Sequence, residues 1–355
     1  MDERRVPLRV GRLVALLDEL LGTETLAELR ERVRGLRVAL QDPADPLGVV
    51  ATPADADAEA VRLDLLDRQL AQAETAYTRE RAGYYLRRLR RALTERRTKP
   101  INEINLNRWQ EYEEVLTDSL WLIDRRDSSG AHLAWYWGNF VPQIPRQAMW
   151  RFTRRGEWVL DPFVGSGTTL IECRRLGRHG VGIELNPEVA RRAEARVAQE
   201  PNPYGVQTSL IVGDAVSFDP DRLPVRRFQL VVMHPPYHDI IRFSDDPRDL
   251  SAAPSVEAFL ARWRRAVEHV YPLLERGRFM VVVMGDKYVR GEWIPLGFYG
   301  MQEALAVGFR LKSIVVKNFE GTRGKRSQEA LWRYRALAGG FYVFKHEYIF
   351  FLEKV

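Results

Sequence analysis

Cysteine is nearly absent. The 355-residue chain holds one, Cys173, so an intrachain disulfide and a cysteine-cluster zinc site are both excluded. That residue falls in a helix-like stretch, Leu170-Ile-Glu-Cys-Arg-Arg-Leu176, where it reads as a small buried side chain rather than a nucleophile. No zinc finger and no typical helix-turn-helix pattern is visible, and no metal site is expected. Long apolar runs are missing too, and none approaches the roughly 20 residues a membrane-spanning helix needs. The first residues, Met1-Asp-Glu-Arg-Arg5, are charged and lead into no apolar stretch, so no signal peptide is expected and the reading is soluble and cytoplasmic. Internal repeats and low-complexity tracts are likewise lacking.

What is present is an ordinary globular composition, 45% hydrophobic, with a formal net charge of +6. The excess comes largely from arginine, whose planar fork suits phosphate, although basic charge alone is weak evidence of an anionic partner. Residues 8–40 read as helix: Leu13, Leu16, Leu17, Leu20 and Leu21 share one face, and Leu26, Leu29, Val33, Leu36 and Leu40 another. Gly22-Thr23 marks a break between them, with Thr23 as a candidate N-cap. A loop is expected over 41–57, then helix over 58–97 that Pro100 ends.

From about residue 157 strands and helices alternate. Strands are expected over 158–163, 180–185, 209–212, 228–233, 279–284, 311–317 and 348–352. The alternation implies a mostly parallel sheet with helices on both faces. Between the last two strands no helix reads strongly, which points to a terminal antiparallel pair.

Two strings carry the chemistry. The first, Val159-Leu-Asp-Pro-Phe-Val-Gly-Ser-Gly-Thr-Thr-Leu170, is a strand ending in Asp161, a Gly165-Ser166-Gly167 turn, and a helix opening with Thr168 and Thr169. Glycine lets backbone approach a ligand, and a helix N-terminus favours polar or anionic groups. Glu184, about twenty residues past the turn, ends the second strand where an acid can accept ribose hydroxyls. The second string is Val231-Val-Met-His-Pro-Pro-Tyr237, a strand that stops at a rigid proline pair carrying a ring.

Together these strings resemble the S-adenosylmethionine-dependent DNA amino-methyltransferases, which methylate N6 of adenine or N4 of cytosine. The resemblance covers roughly residues 130–355. It implies the class I methyltransferase fold: an α/β, Rossmann-like, mostly parallel seven-stranded sheet, preceded here by a helical N-terminal domain over 1–129. It further implies S-adenosylmethionine as cofactor. Asp161, Pro162, Phe163, Gly165, Ser166, Gly167, Thr168 and Thr169 would form its methionine pocket, with Glu184 on the ribose and Asp214 on the adenine amino group. Asn139 and Phe140, in Trp137-Gly-Asn-Phe-Val-Pro-Gln-Ile-Pro145, match the family's further cofactor motif. On this reading Gly167→Trp or Asp161→Ala should abolish cofactor binding in a folded protein.

An exocyclic amine conjugated to its ring is a poor nucleophile. In this family the first side chain of the Pro-Pro motif and the following proline carbonyl accept the amine hydrogens, which here would be His234 and the Pro235 carbonyl. Pro235 and Pro236 fix φ, and Tyr237 would stack on a base flipped out of the duplex. If the ring is what matters, Tyr237→Phe should be mild. His234 departs from the usual Asp, Asn or Ser. A neutral imidazole accepts through one nitrogen only, so activity should fall in acid near the ordinary imidazole pKa of about 6.5. The histidine leaves the choice of cytosine or adenine open. Asp286 is expected to face the same site, and the polar segment after Tyr237, residues 238–249, is expected to close over the base.

Double-stranded DNA is the implied partner, with a companion restriction nuclease possible. Residues 78–99 hold nine basic residues against two acidic, either a phosphate-binding flank or a solvated face of a helical bundle, and Gly321-Thr-Arg-Gly-Lys-Arg326 with Trp332, Arg333 and Arg335 forms a second basic candidate, favoured as the sequence-reading element. Two alternatives stand beside this reading: an RNA or protein-glutamine methyltransferase, and a non-catalytic DNA-binding protein that keeps the fold.

Overall fold

The computed structural model describes residues 5–42, 44–52, 55, 58–318 and 329–355. The Gly321–Arg326 candidate therefore lies outside the described residues. The chain divides into two compact units, Met1–Lys99 with Ile104–Glu114, and Pro100–Glu103 with Val115–Val355.

The smaller unit carries four helices: α1 (Val10–Leu21), α2 (Leu26–Gln41), α3 (Leu63–Glu74) and α4 (Arg79–Thr94). Leu13 and Leu17, Leu29 and Val33, Leu66 and Leu70, and Leu86 and Leu89 meet in one core, as their three- and four-residue spacing requires. The expected break between α1 and α2 is there. The cap, however, is Thr25, whose side chain accepts the Glu28 N–H, while the Thr23 hydroxyl donates to the Leu20 carbonyl. Ahead of α1 and α3 lie β1 (Arg5–Arg9) and β2 (Ala58–Arg62), paired antiparallel where the expected helices 8–40 and 58–97 were to begin.

The larger unit is built on an eight-stranded sheet. In chain order it comprises β3 (Leu120–Trp121), α5 (Gln143–Phe152), β4 (Trp158–Asp161), α6 (Thr168–Leu176), β5 (His179–Glu184), α7 (Pro187–Gln199), β6 (Thr208–Val212), β7 (Phe228–Met233), α8 (Val256–Val270), β8 (Leu274–Met284), the small hairpin β9 (Lys287–Val289) and β10 (Glu292–Ile294), α9 (Leu296–Val307), β11 (Phe309–Asn318), α10 (Glu329–Gly339) and β12 (His346–Lys354). The sheet order is β3-β11-β12-β8-β7-β4-β5-β6. Strands β4 to β8 pair in parallel, and β12 runs antiparallel to both β8 and β11. This is the expected seven-stranded class I methyltransferase sheet, extended by a two-residue edge strand.

Successive residues of each central strand enter opposite cores. Leu160, Val231 and Val282 pack beside Phe259 and Trp263 of α8, whereas Val159, Leu230 and Val281 pack beside Ile144 and Phe152 of α5. Burial on both faces is why these strands read as continuous apolar runs. Cys173 is fully buried in the second core. The unit boundary falls near residue 115, earlier than the expected 130. Trp121 is 1% exposed, its ring centroid lies 6.2 Å from that of Phe351, and β3 pairs with β11, which ties this stretch to the sheet.

Candidate active site

The first glycine turn sits where β4 hands over to α6, at the carboxyl end of the central strand. There the connections leave β4 for β5 on one side, while β7 flanks it on the other, the usual ligand crevice of an open α/β sheet. Asp161 is fully buried. One of its oxygens accepts the Phe163 N–H and the other the Thr169 hydroxyl. Burial raises its pKa to about 7, with the Glu184 charge adding to the shift against those two hydrogen bonds. Asp161 thus braces the turn while each of its oxygens keeps a second lone pair, and Asp161→Ala strips partners from the Phe163 N–H and the Thr169 hydroxyl. Loss of cofactor binding in Asp161→Ala would therefore come together with a loosened turn.

Gly165 and Gly167 have φ of +49° and +83°, the left-handed region that favours glycine. A Cβ on Gly165 would come 3.1 Å from the Tyr136 ring, and one on Gly167 would come 2.8 Å from Val197 of α7. Gly167 therefore lets α6 start hard against α7, while Gly165 lets the turn pass close under the Tyr136 ring. This corrects the idea that bulk at Gly167 would act by filling the ligand volume. The Ser166 hydroxyl accepts from the Asn139 side-chain amide at 2.8 Å and lies 3.2 Å from the Thr168 hydroxyl. Pro162 is buried and Phe163 half-buried.

Glu184 ends β5, its two oxygens accepting the backbone N–H groups of Gly165 and Asn186. Burial raises its pKa, with Asp249 adding to the effect. Asp214 follows β6 and is half-buried; its carboxylate accepts the Val216 N–H at 2.9 Å. Each oxygen of these two acids keeps a second lone pair for a ligand hydroxyl or amine.

His234, Pro235, Pro236 and Tyr237 follow β7, the strand beside β4. His234 Nε2 is 3.0 Å from the Tyr237 hydroxyl, which donates to Glu347 at 2.8 Å, and Glu347 pairs with Lys317 at 3.2 Å. The Tyr237 ring lies against Gly285, where a Cβ would come within 3.0 Å. Burial lowers the His234 pKa to about 4, the Lys317 charge helping and the Glu347 charge opposing. Burial also raises the Tyr237 pKa, as does the neighbouring Glu347 carboxylate. The expected acid limb near 6.5 therefore moves to about 4.

Other expectations change as well. Asp286 is held by the Trp293 and Tyr348 side chains and the Gly297 N–H, so it fixes local structure. The loop after Tyr237 is anchored at its start. His238, 4% exposed and at φ +53°, meets the Ala253 carbonyl through Nε2 and Lys287 through Nδ1. Further on, Phe243 stacks on Tyr136, with ring centroids 5.5 Å apart, above the glycine turn.

Four residues near the site carried no motif signal. Tyr136 belongs to an aromatic run that reads as well as packing. Glu347 and Lys317 sit on β12 and β11 with no motif around them. Arg126 belongs to the polar stretch Asp124-Arg-Arg-Asp127. Its Nη1 donates to the Phe140 carbonyl at 2.7 Å, while its Nε and Nη2 are buried without a partner among the described residues.

These features fit S-adenosylmethionine. An unpaired buried guanidinium edge behind Asn139 and Phe140 suits a carboxylate, because such donors are costly when left unpaired.

Residues 74–195 match the model of the DNA methylase family, a span that contains Asn139, the glycine turn and Glu184 and stops before His234. The chain is 39% identical over 79 residues to the type II methyltransferase M.XycI of Xanthomonas campestris pv. cyanopsidis, covering 22% of this chain and 25% of that protein. It is 38% identical over 82 residues to the type II methyltransferase M.Cfr9I of Citrobacter freundii, covering 23% and 26%. A longer, weaker likeness joins it to the tRNA (guanine(10)-N2)-dimethyltransferase of Pyrococcus abyssi, 28% identical over 171 residues, which are 48% of this chain and 43% of that one. Each match thus spans less than half of the relative's length. Over its matched segment, the chain is similar to DNA methylases.

Proposed function

We propose that this protein transfers a methyl group from S-adenosylmethionine to the exocyclic amine of a DNA base, N6 of adenine or N4 of cytosine. One juxtaposition carries the reading. Asn139 donates to Ser166 in the glycine turn, while the ring of the adjacent Phe140 lies 5.0 Å from the ring of His234. A single segment thereby joins the cofactor turn to the Pro-Pro motif.

The cofactor, when bound, supplies an electrophilic methyl group. Arg126 would hold its carboxylate, Gly165 and Ser166 would line the methionine end, and Glu184 and Asp214 would take the ribose and the adenine amine. His234 and the Pro235 carbonyl would accept the two hydrogens of the target amine and so turn its lone pair out of conjugation. Tyr237 would bound the base slot. For a duplex substrate the base must leave the stack. The N-terminal helical unit is assigned to duplex contact, and a companion nuclease would follow from a restriction role.

The longer likeness to a tRNA methyltransferase favours RNA as the second reading. Incubation with labelled cofactor and, separately, mixed-sequence duplex DNA or tRNA, followed by nucleoside mass spectrometry, decides between them. Label in N6-methyladenine or N4-methylcytosine of DNA is the expected result. Label in tRNA alone would replace this reading, and label in neither would end it.

A further inference from the structure

His234 has two ring nitrogens, and only the one without a proton can accept a hydrogen from an amine. The surrounding side chains decide which one that is. Lys317 and Glu347 pair at 3.2 Å, their side chains 7% and 4% exposed. An ammonium only donates, so the Glu347 oxygen facing it must accept. The other oxygen of that carboxylate also only accepts, so the Tyr237 hydroxyl, 2.8 Å away, must give it its proton. Having donated, the Tyr237 oxygen offers lone pairs to His234 Nε2 at 3.0 Å. That contact is a hydrogen bond only if Nε2 carries the hydrogen. Nδ1 is then bare. It takes no hydrogen bond from the described residues and is not among the buried side-chain atoms left without a partner, so it opens to the site.

We propose that Lys317, Glu347 and Tyr237 form a buried relay of fixed polarity that holds His234 as the neutral Nε2–H tautomer and presents Nδ1 as the acceptor. The relay is a property of the protein alone. Its use in catalysis rests on the methyltransferase reading above, with the three residues acting as positioning residues through His234. A histidine replaces the oxygen acceptors of the family only if its tautomer is set, because the wrong tautomer would aim an N–H at the amine. The ring of Tyr237 is therefore not its whole contribution, and Tyr237→Phe, mild on a stacking argument, becomes severe.

The isosteric variant Glu347→Gln is the decisive probe. Lys317 would draw the amide oxygen of the new side chain, leaving its NH2 group towards Tyr237. The phenol would then accept from that amide and donate to Nε2, moving the ring proton to Nδ1. In the full chain labelled with 15N-histidine, and assigned with His234→Gln, nitrogen NMR without cofactor or DNA should show a protonated Nε2 and a bare Nδ1. Glu347→Gln should show the reverse, and Tyr237→Phe should lose the protected Nε2 proton even if Glu347→Gln fails to fold. A protonated Nδ1 in the parent, or an unaltered tautomer in Glu347→Gln, overturns the relay. In single turnovers Glu347→Gln should be slower by about 10²–10³-fold, as for loss of a key transition-state partner, with cofactor affinity kept. Parental turnover by a variant with the reversed tautomer would overturn the role given to Nδ1. Because the spectra need no substrate, an inactive parent with the expected spectra sinks the proposed function and leaves the relay standing.

Discussion

Burial and the Lys317 charge outweigh Glu347 at His234 and hold its pKa near 4. The sign follows from which form is disfavoured. The folded protein resists the charged imidazolium, so the neutral acceptor persists well below the ordinary imidazole value of about 6.5. Methyl transfer should stay flat as pH falls from 6.5 towards 5 and drop only as it passes through about 4, the value that burial sets. The same shift works on stability, which is fully present above the unfolded pKa and is lost as pH falls through the folded one. Single-turnover rates across pH check the first statement, and an acid limb centred near 6.5 would show His234 to be solvated. Arg126 gives a second prediction. If its free guanidinium edge holds the cofactor's carboxylate, Arg126→Gln should weaken S-adenosylmethionine binding by roughly 10–100-fold, the weight of a charge-assisted hydrogen bond. The decarboxylated cofactor should bind parent and variant alike. Calorimetry with both ligands checks this, and an equal loss for both would leave Arg126 as a brace for the Phe140 carbonyl.

At the scale of the element, α4 shows why a basic run overstates its own availability. Arg79 donates to the Leu21 and Thr23 carbonyls, Arg88 to Gln72, and Arg90 pairs with Asp18 on α1. Arg81 lies over the Tyr84 and Tyr85 rings. Arg87 and Arg91 are exposed and have no partner among the described residues. They share the outer face with Tyr77 and Tyr84, which are 94% and 42% exposed. Replacing Arg87 and Arg91 with Gln should flatten the salt dependence of duplex binding by about one unit of slope per lost contact, equally for unrelated sequences. Arg88→Gln and Arg90→Gln should leave the slope unchanged. Anisotropy titrations at several salt concentrations check it, and an unaltered slope in the first pair would assign α4 to packing alone. Helix α10 has a comparable exposed set, Leu331, Tyr334 and Leu337, and Arg335 lies over the Trp332 ring.

At the scale of the molecule, two units hold separate cores, which makes stability and cofactor binding separable. Leu70 is fully buried in the helical unit, so Leu70→Ala should destabilise that unit by about 2–5 kcal/mol while cofactor affinity stays at the parent value. Denaturant melts with and without cofactor check this, and a parallel loss of affinity would mean that the units fold as one. The sequence by itself determined the α/β sheet, the positions of its seven main strands, and the residues at both of its chemical turns. Those signals are local: glycine, proline and continuous apolar runs dictate backbone wherever they occur. It did not disclose β1, β2, β3, β9 or β10, which carry no continuous apolar run and form by pairing with other strands. Nor did it disclose what each site residue does. Asp286 looked like a site residue and is held by its neighbours, Asp161 also braces its own turn, and Lys317, Glu347 and Arg126 looked ordinary yet meet the site. Hydrogen-bond polarity and burial belong to partners that span 110 residues between Tyr237 and Glu347, and only the folded sheet, which sets β7, β8, β12 and β11 side by side, brings such partners within reach.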